Sequence, residues 1–308
     1  MRHLLIDTDT ASDDAVALVM ALKYPGVTIE AITVVAGNVD VDQGVKNALY
    51  TVDLCQMQTK VYRGAAKPLL RELETAQHVH GQDGMGDIGL PIKNRSASEG
   101  NAIDVIIETI YKFPHQLEII TLGPLTNMAI AIAKQPEIVN MVKSFTVMGG
   151  VGYGEGNITP VSEYNMWADP EAARLVFQSN IPITMVGWDV AKECAWFDGP
   201  TIDMVRSLNS PLANFAMDIQ KTVGEFQKNL TGNYGFHIPD PITVAIVLDD
   251  SIKIDSKKLY VDVVLSDDYT RGQTVVDHTG VTRKAANAEV VLRASKDKFL
   301  SLIKSTHS

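Results

Sequence analysis

The chain has 308 residues, 45% of them hydrophobic, enough to bury a large core in one α/β domain or two tightly packed lobes. A formal net charge of −10 argues against nucleic acid or an anionic membrane as a partner, and to a lesser degree against a polyphosphate substrate. Two cysteines, Cys55 and Cys194, have no metal-ligand spacing around them and read as small buried residues in a reducing compartment. No apolar run reaches the roughly 18 residues of a membrane span, and the start "MRHLLIDTD" enters a strand without an h-region, so a cytoplasmic protein is expected.

In chain order, the strand "HLLID" leads to a helix over 13–23. "VTIEAITVVAG" (27–37) is a strand before a helix near 43–55, and "KVYRGA" (60–65) is a short strand. A helix near 99–112 precedes the strand "LEIITLG" (117–123), and "PLTNMAIAIA" (124–133) is helical. "SFTVMGG" (144–150) is a strand, "DPEAARLVFQS" (169–179) a helix, and "PITMVGWDV" (182–190) another strand. Helices fill 199–231 and 241–248. Then "KKLYVDVVL", "RGQTVVD" and "AEVVLRA" read as antiparallel strands before a last helix at 296–304. No linker, low-complexity run or repeat divides the chain, so residues 1–308 read as a single domain. Alternating β and α elements with continuous apolar strands predict an α/β fold: a mostly parallel, Rossmann-like sheet covered by helices on both faces, plus a small C-terminal antiparallel element. Ligands of such sheets bind at the carboxyl ends of strands. Asp7, Asp9, Asn38, Leu122 and the loop after Met148 all fall there.

"LLIDTDTASDDAVALVMAL" (4–22) places Asp7, Asp9, Asp13 and Asp14 within eight residues. Asp7 and Asp9, two apart near a strand end, are expected to share a face. Ser12 is placed to cap the next helix, with Asp13 and Asp14 in its first turn, where the helix dipole favours anions. Caps account for one of these carboxylates but not for all four, because like charges a few ångströms apart repel strongly. Positions 3–22 contain no Lys or Arg, so a bound cation is the economical counter-charge. An all-oxygen ligand set favours Ca²⁺ or Mg²⁺ over zinc. Asp240 in "IPDPITVA" stands at the start of a Pro-led helix. That is a common cap, and also a further candidate ligand.

"DTDTASDDAVAL" resembles the signature of the inosine–uridine-preferring nucleoside hydrolases, which remove a base from a ribonucleoside. "VVAGN" (34–38), "VHGQDGMG" (79–86), "LGPLTN" (122–127), "VMGG" (147–150), "GNITPVSEYNMWADPEAA" (156–173) and "RGQTVVD" (271–277) match in the same order across nearly the whole chain. The resemblance implies the nucleoside hydrolase fold and one Ca²⁺ held by Asp9, Asp14, the backbone carbonyl of Leu122 and Asp240. It places the ribose on Asp13, Asn38, Asn157, Glu163, Asn165 and the main chain at Met148. Asn157, Glu163 and Asn165 suit this role chemically, since two amides and a carboxylate can both accept from and donate to sugar hydroxyls.

By the same resemblance, Asp9 is the base that activates the attacking water, with Ca²⁺ orienting and acidifying it. The transition state is ribosyl-cation-like. Many family members carry a His just before the last metal-binding Asp, and another branch has a Trp there; this chain has Pro239. His80 and His237 are the remaining candidates for leaving-group help. Trp188 and Trp196 flank a strand end, where they could line the base pocket; such residues are more often core or interface, and they are left out of the expected site. Phe226 and Tyr234 lie where the family has a mobile lid. The substrate is a small ribonucleoside, the assembly a homodimer or homotetramer, and purine or pyrimidine preference is not legible. Two rivals stand beside this reading. "LLIDTDTA" approaches the opening motif of haloacid-dehalogenase-like Mg²⁺ phosphatases, which would make Asp7 a nucleophile. Pro239 also leaves room for a catalytically impaired nucleoside- or ribose-binding protein.

Overall fold

The computed structural model describes residues 1–308. The strands are β1 (Arg2–Thr8), β2 (Val27–Val34), β3 (Val61–Arg63), β4 (Leu117–Thr121), β5 (Ser144–Met148), β6 (Ile183–Val186), β7 (Trp196–Phe197), β8 (Phe236–His237), β9 (Lys253–Leu259), β10 (Val261–Val263), β11 (Thr274–Val276) and β12 (Ala288–Ala294). The helices are α1 (Ser12–Lys23), α2 (Val41–Leu54), α3 (Gln77–His80), α4 (Ala102–Lys112), α5 (Thr126–Lys134), α6 (Tyr164–Ala168), α7 (Pro170–Phe177), α8 (Trp188–Cys194), α9 (Gly199–Arg206), α10 (Pro211–Asp218), α11 (Lys221–Thr231), α12 (Pro239–Leu248) and α13 (Lys296–His307).

Eight strands form one sheet in the order β3-β2-β1-β4-β5-β6-β12-β9. All neighbours run parallel except β9, which pairs antiparallel with β12 at the edge. The central strands are apolar along their whole length because helices cover both faces. Leu4, Ile6 and Ile120 pack beneath α1, α2, α12 and α13, while Leu5, Ile119 and Phe145 pack toward α4, α5 and α7. The strand order reverses between β1 and β4, opening a crevice at their carboxyl ends. Asp9 and Leu122 leave the sheet on either side of it. At the far end of β1, the Arg2 guanidinium joins Glu118 at 2.6 Å to the carbonyls of Val247 and Leu248, where α12 ends. That contact ties the carboxyl end of α12 to β1 and β4, while its other end carries Asp240.

The C-terminal strands part company. "RGQTVVD" contributes β11, which pairs antiparallel with β10 in a separate ribbon, as expected. "AEVVLRA" is β12, which pairs antiparallel with β9, as expected, and also joins the main sheet parallel to β6. Nothing in its seven residues marks the second, parallel partner. "PITMVGWDV" is strand for Ile183–Val186 alone, and α8 begins at Trp188. The Asp189 carboxylate accepts from the backbone N–H groups of Gly152 and Tyr153, which turns the chain out of the sheet. The segment 199–231 is three helices, and two of them start at a proline-containing first turn capped by Asp198 or Ser210.

Candidate active site

Three carboxylates meet in the crevice. Asp13 and Asp14 open α1 and Asp240 opens α12; these helices pack side by side with both amino termini at the same point. Oxygen atoms of Asp13, Asp14 and Asp240 all lie within 4.8 Å of one another, and all three side chains are buried. Asp14 is fixed by the Thr8 hydroxyl at 2.5 Å and the Ala11 N–H at 2.9 Å. Ala11, and not Ser12, is therefore the residue before the helix. The Ser12 hydroxyl is engaged by His80 and Gln220 instead.

Asp9 sits one turn of chain earlier. Its Oδ2 accepts the Asn38 N–H at 2.6 Å, while its Oδ1 and the Oδ1 of Asp13 are buried without any partner. Burial, with the neighbouring carboxylates adding to it, raises Asp9 and Asp240 well above the usual carboxylate range. Burial lifts Asp13 and Asp14 to about 6. Asp7 stands apart: its carboxylate accepts from Thr33 and Asn127 at 2.6 and 2.8 Å and is fully sealed. It ties β1 to β2 and to the "GPLTN" turn. Spent on these structural bonds and absent from the cavity lining, Asp7 is not placed as a nucleophile, and the phosphatase reading loses its central residue.

The backbone of Gly37 passes so close to Asp9 that a Cβ there would lie 2.1 Å from Asp9 Oδ2 and 2.8 Å from Pro124 Cδ. Gly37→Ala is expected to displace the Asp9 carboxylate and lower kcat/KM about 100-fold, the effect of a misplacement near 1 Å. Steady-state kinetics on this variant tests it, and wild-type activity would show that the position of Asp9 is not critical.

Above the carboxylates lies a cavity of about 370 Å³. Asp13, Asn38, Leu122, Met148, Asn157, Glu163, Asn165, Asp240, His80 and His237 all line it; Asp9 and Asp14 lie beneath its floor. The Asn165 amide donates to the carbonyls of Leu122 at 2.7 Å and Met148 at 3.2 Å, fixing the ends of β4 and β5 relative to each other. Glu163 caps α6, accepting from the N–H groups of Gly150, Asn165 and Met166, and burial lifts it to about 7. Asn157 Oδ1 accepts the Tyr164 N–H at 2.9 Å, which leaves its amide for a ligand.

The two histidines face the cavity from different elements. His80, on α3, holds the Ser12 hydroxyl at 2.9 Å and lies 4.0 Å from Asp13; burial lowers it to about 4. His237, on β8, packs between Trp188 and Trp196. Trp188 was not among the expected site residues, yet it lines the cavity, and Trp196 backs His237 from the other side. Reading 182–190 as one strand hides this, because the turn at Gly187 is what presents Trp188 to the crevice. From α11, Val223, Phe226, Gln227 and Leu230 complete the wall, with Phe226 meeting His78 across the mouth. Tyr234 instead packs against Gly224 of the same helix.

Residues 4–301 match the family model described as inosine-uridine preferring nucleoside hydrolase. A pyrimidine-specific ribonucleoside hydrolase, RihA of Salmonella schwarzengrund, is 34% identical over 302 residues, covering 97% of this chain and 96% of the relative. Among solved structures, a plant nucleoside hydrolase, PpNRh1, superposes with a TM-score of 0.94 at 25% identity, covering 100% of this chain and 99% of the other. A purine-preferring ribonucleoside hydrolase from Gardnerella vaginalis gives 0.90 at 30% identity, covering 99% and 98%. With a family match over residues 4–301, a relative 34% identical over nearly its whole length and superposing solved structures, the chain belongs to the inosine-uridine preferring nucleoside hydrolase family and is a nucleoside hydrolase.

Proposed function

We propose that the protein hydrolyses the N-glycosidic bond of ribonucleosides in a Ca²⁺-dependent reaction that frees base and ribose. The observation that carries this is the pair of buried, unpartnered carboxylate oxygens, Asp13 Oδ1 at the floor of a cavity lined by amides and a glutamate, and Asp9 Oδ1 beneath it. Orphaned buried anions are expensive without a counter-charge, and an all-oxygen donor set suits a hard cation. Asp9, Asp14, Asp240 and the Leu122 carbonyl would hold Ca²⁺, which supplies Lewis acidity and a positive counter-charge.

The chain's own residues do the rest. Asp9 accepts a proton from the attacking water. Asn38, Asn157, Glu163, Asn165, Asp13 and the Met148 main chain hold the ribose hydroxyls, so the anomeric carbon is presented in one orientation. The surrounding carboxylates favour positive charge developing on the ring. His80 approaches the base from α3 as the leaving-group contact. We take the enzyme to work in the cytoplasm as a homodimer or homotetramer.

Base release from uridine, cytidine, inosine and adenosine tests the reading, with the pyrimidines first because the RihA relative is pyrimidine-specific. At least one substrate is expected to reach a kcat/KM of about 10⁴ M⁻¹s⁻¹, lost on chelation and restored by Ca²⁺. Absence of release from all four in Ca²⁺ would overturn it and leave a binding protein.

A further inference from the structure

The cavity is carboxylate and amide at its floor and aromatic along one wall. Asp240, Glu163 and Asn165 at the floor are almost wholly buried, whereas Leu230 at the mouth is 66% exposed. A ribose matches the floor, so the base projects along the wall built by Trp188, Phe226 and His237.

His237 is the fixed polar group on that wall. Its ring centroid lies 5.1 Å from that of Trp188, edge to face, and 4.7 Å from that of Trp196. Trp196 is also its pairing partner in the β7–β8 ribbon. Nδ1 lies 3.3 Å from the carbonyl oxygen of Ala191. A carbonyl only accepts, so Nδ1 carries the proton and Nε2 keeps the lone pair. Nε2 has no partner within the chain and is not sealed away from the cavity. Burial lowers the ring to about 4, with Lys192 adding to the effect, so the lone pair persists at neutral pH. The other polar groups of the wall are less constrained. Gln227 rides on the largely exposed α11, and Lys192 is paired with Glu155 at 2.8 Å.

Resting on the ribonucleoside reading of the cavity, we propose that His237 selects the base: Nε2 accepts a hydrogen bond from a ring N–H, favouring uracil- and hypoxanthine-type bases over those presenting a ring-nitrogen lone pair there. The two indoles hold the imidazole at one orientation, and the Ala191 carbonyl holds it in one tautomer. The group is therefore an acceptor of defined direction, with no rotamer entropy left to lose on binding. This places His237 at the ring N–H of the base, whereas His80 reaches the cavity from α3, beside Ser12 and Asp13.

Two substrate pairs isolate the contact: uridine against 3-deazauridine, and inosine against 1-deazainosine, where a ring N–H becomes C–H. In Ca²⁺-loaded wild-type enzyme, kcat/KM is expected to favour the N–H member of the preferred pair by at least about tenfold, the worth of one hydrogen bond. His237→Phe keeps a planar ring and removes the acceptor. It is expected to bring the ratio close to one, chiefly by raising KM for the N–H substrate. His237→Gln, which restores an acceptor oxygen, is expected to recover part of the ratio, and it carries the test if the Phe variant does not fold. An unchanged ratio in a folded His237→Phe protein, or no preference in wild type, would overturn the assignment. Calorimetric binding of the same pairs separates it from the reading it rests on. If wild type binds but does not cleave, hydrolysis falls while a ratio that collapses in His237→Phe still upholds His237. If nothing binds, both fall.

Discussion

Asp9→Asn is expected to lower kcat about 10³-fold, within the range of a lost general base, while the protein stays folded. The substitution keeps shape and volume, and the amide oxygen can still accept the Asn38 N–H that Asp9 Oδ2 accepts at 2.6 Å. What disappears is a negative charge with proton affinity, buried beside Asp14 and Asp13. Because that charge is held against burial and repulsion, its removal is expected to raise the melting temperature of the Ca²⁺-free protein. Activity and stability then move in opposite directions, as they do where a strained site is kept for function. A plain structural role for Asp9 predicts the reverse: lower melting temperature with activity falling only in proportion. Kinetics and thermal melting on one preparation distinguish the two, and a variant with wild-type kcat would remove Asp9 from the chemistry.

Much of this was legible because the signals are local. The carboxylates of "DTDTASDD" are brought together by a strand end and a helix start within eight residues, so their proximity needs no tertiary information. Asp240 was legible as a helix-start acid, but its meeting with Asp13 and Asp14 depends on α1 packing against α12. The resemblance supplied Asp240 beside Asp9 and Asp14, while the closeness of Asp13 to Asp240 came from the structure. Asp7 misled: alternation suggested a shared face with Asp9, whereas Thr33 on β2 and Asn127 on α5 claim its carboxylate. The aromatic wall was the least legible part. Trp188, Trp196 and His237 come from α8, β7 and β8, and the two-residue ribbon that aligns the last two is too short to carry any periodicity. The placement of β12 was hidden for a related reason. A seven-residue strand looks the same whether β6 or β9 is its neighbour, and here it has both.

Removing the cation is expected to abolish turnover and to destabilise the fold in a way that depends on pH with a definite sign. An aspartate in an unfolded chain titrates near 3.9; burial holds Asp13 and Asp14 at about 6 in the fold, and Asp9 and Asp240 higher. Between the two values the folded state binds more protons than the unfolded state, so Ca²⁺-free stability falls as pH rises from about 4 through about 6 and beyond. A divalent cation binds the ionised form, so its stabilising effect should grow over the same window. At pH 8 and a Ca²⁺ concentration 100-fold above Kd, the gain is about 2.7 kcal/mol, or about 5 °C in melting temperature. At pH 5 it should be markedly smaller. Asp7 and Glu163, each raised by burial to about 7, and Asp13, at about 6, titrate in the same range but lie outside the proposed ligand set. Part of the pH slope should therefore survive saturation with Ca²⁺. Melting curves at pH 5, 6.5 and 8, with chelator and with Ca²⁺, separate the two contributions. A Ca²⁺ increment as large at pH 5 as at pH 8 would mean that the cation is not held by these carboxylates.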